Sequence, residues 1–162
     1  MEQVRFGIVG IGNMGTAHVR RFVDGKVPGA VLTAVCDINP ARLEWVKSYC
    51  AEKGVKQPNA YDDCIKMLDS GDIDAILIAV PHYHHPIYGI EAFKRKINVL
   101  CEKPIGVYTK NVQEFIKAAK ESGCAFGLMF NQRTDKYYQK MREMVVNGEL
   151  GELKRCIWII TD

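Results

Sequence analysis

Short apolar runs alternate along this chain with longer stretches whose apolar residues recur at helical spacing, the pattern of parallel α/β units joined by crossover helices. Residues 6–9 and 30–36 read as the first two strands. Residues 75–80 read as a third, so continuously apolar that it belongs at the centre of a sheet covered on both faces. Residues 98–101 and 125–130 read as two more, and a short strand is expected near Ala60 and Tyr61, after Pro58. Helices are expected to begin near Met14, Pro40, Cys64, His84 and Thr109, the last capped by Thr109 and stopped by Gly123. The fold this predicts is α/β, a Rossmann-type doubly wound parallel sheet.

Past Phe130 the pattern changes. Residues 135–146 read as a helix stopped by Asn147-Gly148, and 153–161 as a strand rich in Ile157, Trp158, Ile159 and Ile160. Folded proteins normally cover so apolar an edge. The strand either adds to the edge of the main sheet or opens a second domain, and we read it as the latter. Residues 1–125 are then one domain, and 126–162 a connecting segment and the beginning of a second.

Composition narrows the classes. A length of 162 residues suits one domain with a real core plus a remnant. With 48% hydrophobic and 25% charged residues, the chain is neither disordered nor fibrous. Its 22 Lys and Arg are spread among 19 Asp and Glu, for a net charge of +3. The longest basic run, Lys94-Arg95-Lys96, reads as a solvated helix end, so nucleic acid is not an expected partner. No apolar stretch approaches the ~20 residues of a membrane span, and no signal sequence precedes the first strand. The six cysteines show no Cys-x-x-Cys spacing, which points to reduced thiols and a cytoplasmic protein.

Gly10-Ile11-Gly12-Asn13-Met14-Gly15 follows the first strand and opens a helix, the context in which this glycine pattern binds a dinucleotide. Gly10 permits a tight turn, Gly12 lets backbone N–H groups approach a pyrophosphate, and Gly15 lets the helix pack closely on the strand. The anion sits on the helix N-terminus. Asp37 closes the second strand about twenty residues beyond the loop, where a carboxylate accepts from the adenosine ribose hydroxyls. A 2′-phosphate would meet that carboxylate as a like charge, with no cation before Arg42, so NAD is favoured over NADP. The competing reading makes Asp37 a helix cap ahead of Pro40.

Two further turns sit at strand carboxyl ends, where open α/β sheets place their ligands. One is Ala79-Val80-Pro81-His82, leading to His84 and His85. No acidic residue or cysteine lies at a familiar ligand spacing there, so no metal is expected. Capping or packing roles account equally well for these histidines, and His18 reads as a satisfied helix residue. The other turn is Glu102-Lys103-Pro104. A lysine partly desolvated beside a nicotinamide cation yields its proton more readily, so Lys103 is a candidate for proton exchange with a substrate hydroxyl. The competing reading is a surface turn without chemistry.

Together the glycine loop, Asp37, Asp74-Ala75-Ile76-Leu77-Ile78-Ala79-Val80-Pro81 and Val99-Leu100-Cys101-Glu102-Lys103-Pro104 resemble the Gfo/Idh/MocA family of oxidoreductases. Asn131-Gln132-Arg133 and Asn147-Gly148-Glu149-Leu150-Gly151 resemble that family's passage into its second domain. The resemblance implies an NAD(P)-dependent oxidoreductase that moves a hydride between nicotinamide and a hydroxyl-bearing carbon of a sugar or polyol. It makes Lys103 the catalytic lysine and puts His85 at the position of the family's histidine near the cofactor. Glu102 and the turn from Ala79 to His82 join the cofactor site by the same analogy, although His82 stands where many members carry Asn. The resemblance also makes residues 1–125 the nucleotide-binding domain and 126–162 a connecting segment and the truncated start of a second α/β domain that would carry the substrate site. Further catalytic residues are expected beyond Asp162, and the oligomeric state is left open between a monomer and a homo-oligomer built on the family's second-domain sheet. Two alternatives stand beside this reading: a dinucleotide-binding sensor without catalysis, and S-adenosylmethionine on the same fold.

Overall fold

In a computed structural model that describes residues 3–159, the chain divides into two compact units, the first ending at Met129 and the second beginning at Phe130. The first unit alternates strands and helices throughout: β1 (Val4–Val9), α1 (Asn13–Val23), β2 (Ala30–Cys36), α2 (Pro40–Glu52), β3 (Asn59–Tyr61), α3 (Cys64–Asp69), β4 (Ala75–Ile78), α4 (His85–Lys94), β5 (Asn98–Glu102), α5 (Thr109–Ser122) and β6 (Phe126–Met129). The six strands are parallel in the order β3-β2-β1-β4-β5-β6. This is the doubly wound dinucleotide-binding order, in which the chain reverses direction across the sheet between β1 and β4.

Strand periodicity explains why helices cover both faces. Alternate residues of one strand point to opposite sides of the sheet. Ile76, Ile78, Val99 and Cys101 join Met67, Phe93 and Phe115 in one buried cluster. Ile8, Val35 and Leu77 join Val19, Val46 and Cys50 in the other. All four residues of β4 are buried, as the continuous apolar run predicts. Phe115 is fully buried, its ring centroid 5.7 Å from Phe93 and 5.0 Å from Phe126, and so locks α4, α5 and β6 together.

Register brings the functional loops to one edge. Val9 is level with Cys36 on one side and Ile78 on the other, and Ile78 is level with Cys101. The turns after β1, β2, β4 and β5 therefore open side by side at the carboxyl edge.

Several expected boundaries shift. Strand β4 stops at Ile78 rather than residue 80, and β5 continues to Glu102, which pairs with Met129. Thr109 is not the cap of α5. Tyr108 holds the extended cap backbone (φ −114°, ψ 128°) and Thr109 is already helical, while Gly123, at φ 70°, ends the helix as expected.

In the second unit, Asp135 caps α6 (Lys136–Val146) by accepting from the amides of Tyr137 and Tyr138. The strand expected over residues 153–161 does not form across its described part, 153–159. Residues 160 and 161 lie outside the described residues. A strand exists only through its ladder, and no strand of this unit is available to pair with among the described residues. Trp158 instead stacks on Tyr138 of α6, with ring centroids 5.4 Å apart.

Candidate functional site: the carboxyl edge of the sheet

Two glycines shape the turn between β1 and α1. Gly10 adopts φ +87°, and a Cβ built there would stand 2.7 Å from the Ala79 carbonyl oxygen. A Cβ on Gly15 would stand 1.8 Å from the Gly10 oxygen, so the first turn of α1 packs on the loop at a distance only glycine allows. The cap of α1 is Gly12, which offers no side chain to the free N–H groups of the first turn, and no acidic residue occupies that turn. The positive end of the helix is thus exposed beside open space, with nothing within 4 Å of a Cβ on Gly12. Uncapped amides at a helix N-terminus with room in front of them fit a pyrophosphate.

Asp37 faces this loop from the end of β2. Its Oδ2 accepts from the Ile11 amide at 2.6 Å and its Oδ1 from the Asn39 amide at 2.8 Å. It is not the cap of α2; that is Asn39, whose side chain accepts from Ala41. Asp37 is half-buried and borders a cleft of about 380 Å³ that also touches Gly10, Gly12, Ile38, Ala79, Val80 and Pro81. Its far wall includes Asp62, Asp63, Cys64 and Tyr88, and His84 borders it as well. The Asp62 carboxyl is held below its ordinary value by a hydrogen bond from Lys66, so it is an anion at neutral pH. Burial, reinforced by nearby carboxylates, pushes the Cys36 thiol up to about 12, and burial pushes Cys64 equally far. The cleft therefore holds no thiolate nucleophile at neutral pH.

A wider cleft of about 680 Å³ lies at the opposite edge, flanked by the ends of α1 and α2 at Val23 and Cys50. Those are the negative ends of the helix dipoles, which do not suit a pyrophosphate.

The remaining expected residues are placed differently from one another. Asn13 and Met14 are exposed at the start of α1, whereas the Ile11 side chain is fully buried and its amide is held by Asp37. His82 is exposed, in a short 3-10 turn (His82–His84) ahead of α4. His85 is fully buried, with Nε2 2.8 Å from the Val80 carbonyl and Nδ1 2.8 Å from the Pro104 carbonyl, so it ties the turn after β4 to the turn after β5. Lys103 is exposed at the carboxyl edge, ahead of a cis bond to Pro104. The Glu102 side chain turns inward, where Oε1 lies 2.7 Å from Nε2 of His18, both side chains being 5% exposed. Its Oε2 accepts from the Lys103 amide at 3.2 Å. No cluster of potential metal ligands occurs among the described residues, and no described helix is long and apolar enough to cross a membrane.

Sequence reasoning missed the far wall of the cleft and the bond between His18 and Glu102. Neither leaves a local signal, since the first assembles from separate loops and the second joins residues 84 apart.

Strand order, glycine turn and terminal carboxylate together define a dinucleotide-binding α/β domain. The chain belongs to the Gfo/Idh/MocA group, the oxidoreductase family with an NAD-binding Rossmann fold, whose pattern matches residues 4–130. It is 31% identical over 153 residues to an inositol 2-dehydrogenase of Arthrobacter sp. (strain FB24), covering 94% of this chain and 44% of that protein. The crystal structure of myo-inositol 2-dehydrogenase from Lactobacillus plantarum superposes with a TM-score of 0.85 at 35% identity, covering 93% of this chain and 43% of that one. The scyllo-inositol dehydrogenase of Lactobacillus casei, solved with NAD(H) and scyllo-inositol, gives 0.84 at 30% identity, with 93% and 43% coverage. The chain thus spans less than half the length of these relatives.

Proposed function

We propose that this chain is the cofactor-binding part of an NAD-dependent dehydrogenase that oxidises a carbinol carbon of a cyclic polyol or sugar. The carrying observation is the meeting of an uncapped helix N-terminus with the half-buried Asp37 carboxylate across one cleft. The inositol dehydrogenases among its relatives support the polyol class.

Bound nicotinamide supplies the hydride acceptor. The first-turn amides of α1 would hold the pyrophosphate, with Gly12 leaving room for it. Asp37 would receive the adenosine ribose hydroxyls on its remaining lone pairs, and with Asp62 and Asp63 it would repel a 2′-phosphate, which favours NAD over NADP. Lys103 Nζ, at the edge where the nicotinamide end would lie, would in its neutral form accept the proton of the substrate hydroxyl. Six free thiols support a reducing, cytoplasmic compartment.

Lys103→Met in the intact enzyme tests the catalytic role. NAD affinity should be nearly unchanged, while the rate of nicotinamide reduction with an inositol should fall roughly 10²-fold or more. A variant with full rate removes Lys103 from the chemistry.

A further inference from the structure

The bond between His18 and Glu102 joins two parts of the site that the sheet otherwise holds separately. His18 lies on α1, the helix whose N-terminus faces the pyrophosphate position. Glu102 ends β5 and is followed directly by Lys103. One Glu102 oxygen contacts His18 Nε2 and the other accepts the Lys103 amide, and both side chains of the pair are almost wholly excluded from water.

A buried carboxyl keeps its orientation only while its partners hold it, because an unpartnered one is drawn to water. Without His18, Glu102 has reason to rotate away and release the Lys103 amide. We propose that His18 and Glu102 are positioning residues that fix the backbone of Lys103 relative to the pyrophosphate-binding helix. The proposal rests on the reading of α1 and Lys103 as parts of one cofactor site. It assigns a task to a buried histidine that the binding geometry does not otherwise use.

The test uses the 162-residue chain, labelled with ¹⁵N, and follows the Lys103 amide by hydrogen exchange and by its shift as NAD is added. His18→Leu removes the partner, and His18→Gln retains a side-chain N–H of similar reach. We expect His18→Leu to speed Lys103 amide exchange by about tenfold or more while the amides of Ile8 and Ile76, in β1 and β4, keep their protection. NAD affinity should stay within about threefold, since His18 does not border the cleft. The response of the Lys103 amide to NAD should be lost in His18→Leu and recovered in His18→Gln.

Unchanged protection at Lys103 in His18→Leu would overturn the proposal. So would equal loss of protection at Lys103, Ile8 and Ile76, which marks a merely structural role. If His18→Leu does not fold, the decision passes to Glu102→Met, which removes both acceptor oxygens. There, a Lys103 amide with unaltered shift and exchange would overturn the proposal, and faster exchange confined to Lys103 would support it. If the wild-type chain binds no NAD, the cofactor reading fails by itself, and the exchange comparison still decides whether His18 holds Lys103.

Discussion

The Asp37 carboxylate accepts the Ile11 amide at 2.6 Å, so the acidic residue after β2 holds the glycine loop as well as facing the cleft. The loop's geometry and part of the cleft's negative charge thus depend on one side chain. A substitution that removes the oxygens disturbs both, whereas one that removes only the charge can separate them. The bond also commits the Ile11 amide to Asp37, so in the proposed site a phosphate would be met by Gly12 and the first turn of α1.

Gly12 and Gly15 should respond to alanine in opposite ways. A methyl on Gly12 meets nothing in the protein, and its φ of −76° suits any residue, so Gly12→Ala should leave the melting temperature unchanged. That methyl would stand in the space of the pyrophosphate, and NAD affinity should fall by about tenfold or more. Gly15→Ala forces a Cβ to within 1.8 Å of the Gly10 oxygen and should cost roughly 1–3 kcal/mol of stability. Thermal unfolding and NAD titration of both variants check the contrast.

The first unit was largely legible because its signals are local. The apolar run of β1, the glycines after it and Asp37 at the end of β2 each announce themselves within a few residues. What the sequence did not show are relationships over distance: the partnership of Asp37 with Ile11 across 26 positions, and that of His18 with Glu102 across 84. Residues 153–159, the described part of the expected strand, misled for another reason. Apolar composition suits a strand, but only a neighbour with free backbone groups makes one, and Trp158 found Tyr138 instead. Thr109 misled by a single position, because a cap is set by backbone angles that Tyr108 adopts.

Thiol reactivity should divide sharply. Burial pushes the Cys36, Cys64 and Cys101 thiols up to about 12, so at neutral pH they are protonated as well as shielded. Cys156 alone is exposed, and Cys124 is half-buried. Ellman's reagent should react promptly with one thiol of the native chain, more slowly with a second, and with all six only after denaturation. Cys156→Ser should abolish the fast phase, and a persisting fast phase would contradict this assignment.

Acid sensitivity has a definite sign at Asp74. Hydrogen bonds from the Arg5 side chain, then from its backbone amide, hold the carboxyl below its ordinary value. A carboxyl depressed in the folded state stabilises fully above the unfolded value near ~3.9 and loses that contribution as pH falls through the lower folded value. The pair is about two-fifths exposed, at 45% and 41%, so its contribution is of the order of 0.5–1 kcal/mol. Asp74→Asn should therefore lower the melting temperature at pH 7, and the gap from wild type should close toward pH 3.

The most direct test of the cofactor site is a calorimetric titration of the chain with NAD and with NADP, repeated on Asp37→Asn, which keeps an acceptor for the Ile11 amide but removes the charge. The expected result is wild-type binding that favours NAD by about tenfold or more, with the preference narrowed to within about threefold in the variant. Failure of the wild-type chain to bind either dinucleotide, or a preference that Asp37→Asn leaves untouched, would contradict the assignment of this edge as the NAD site.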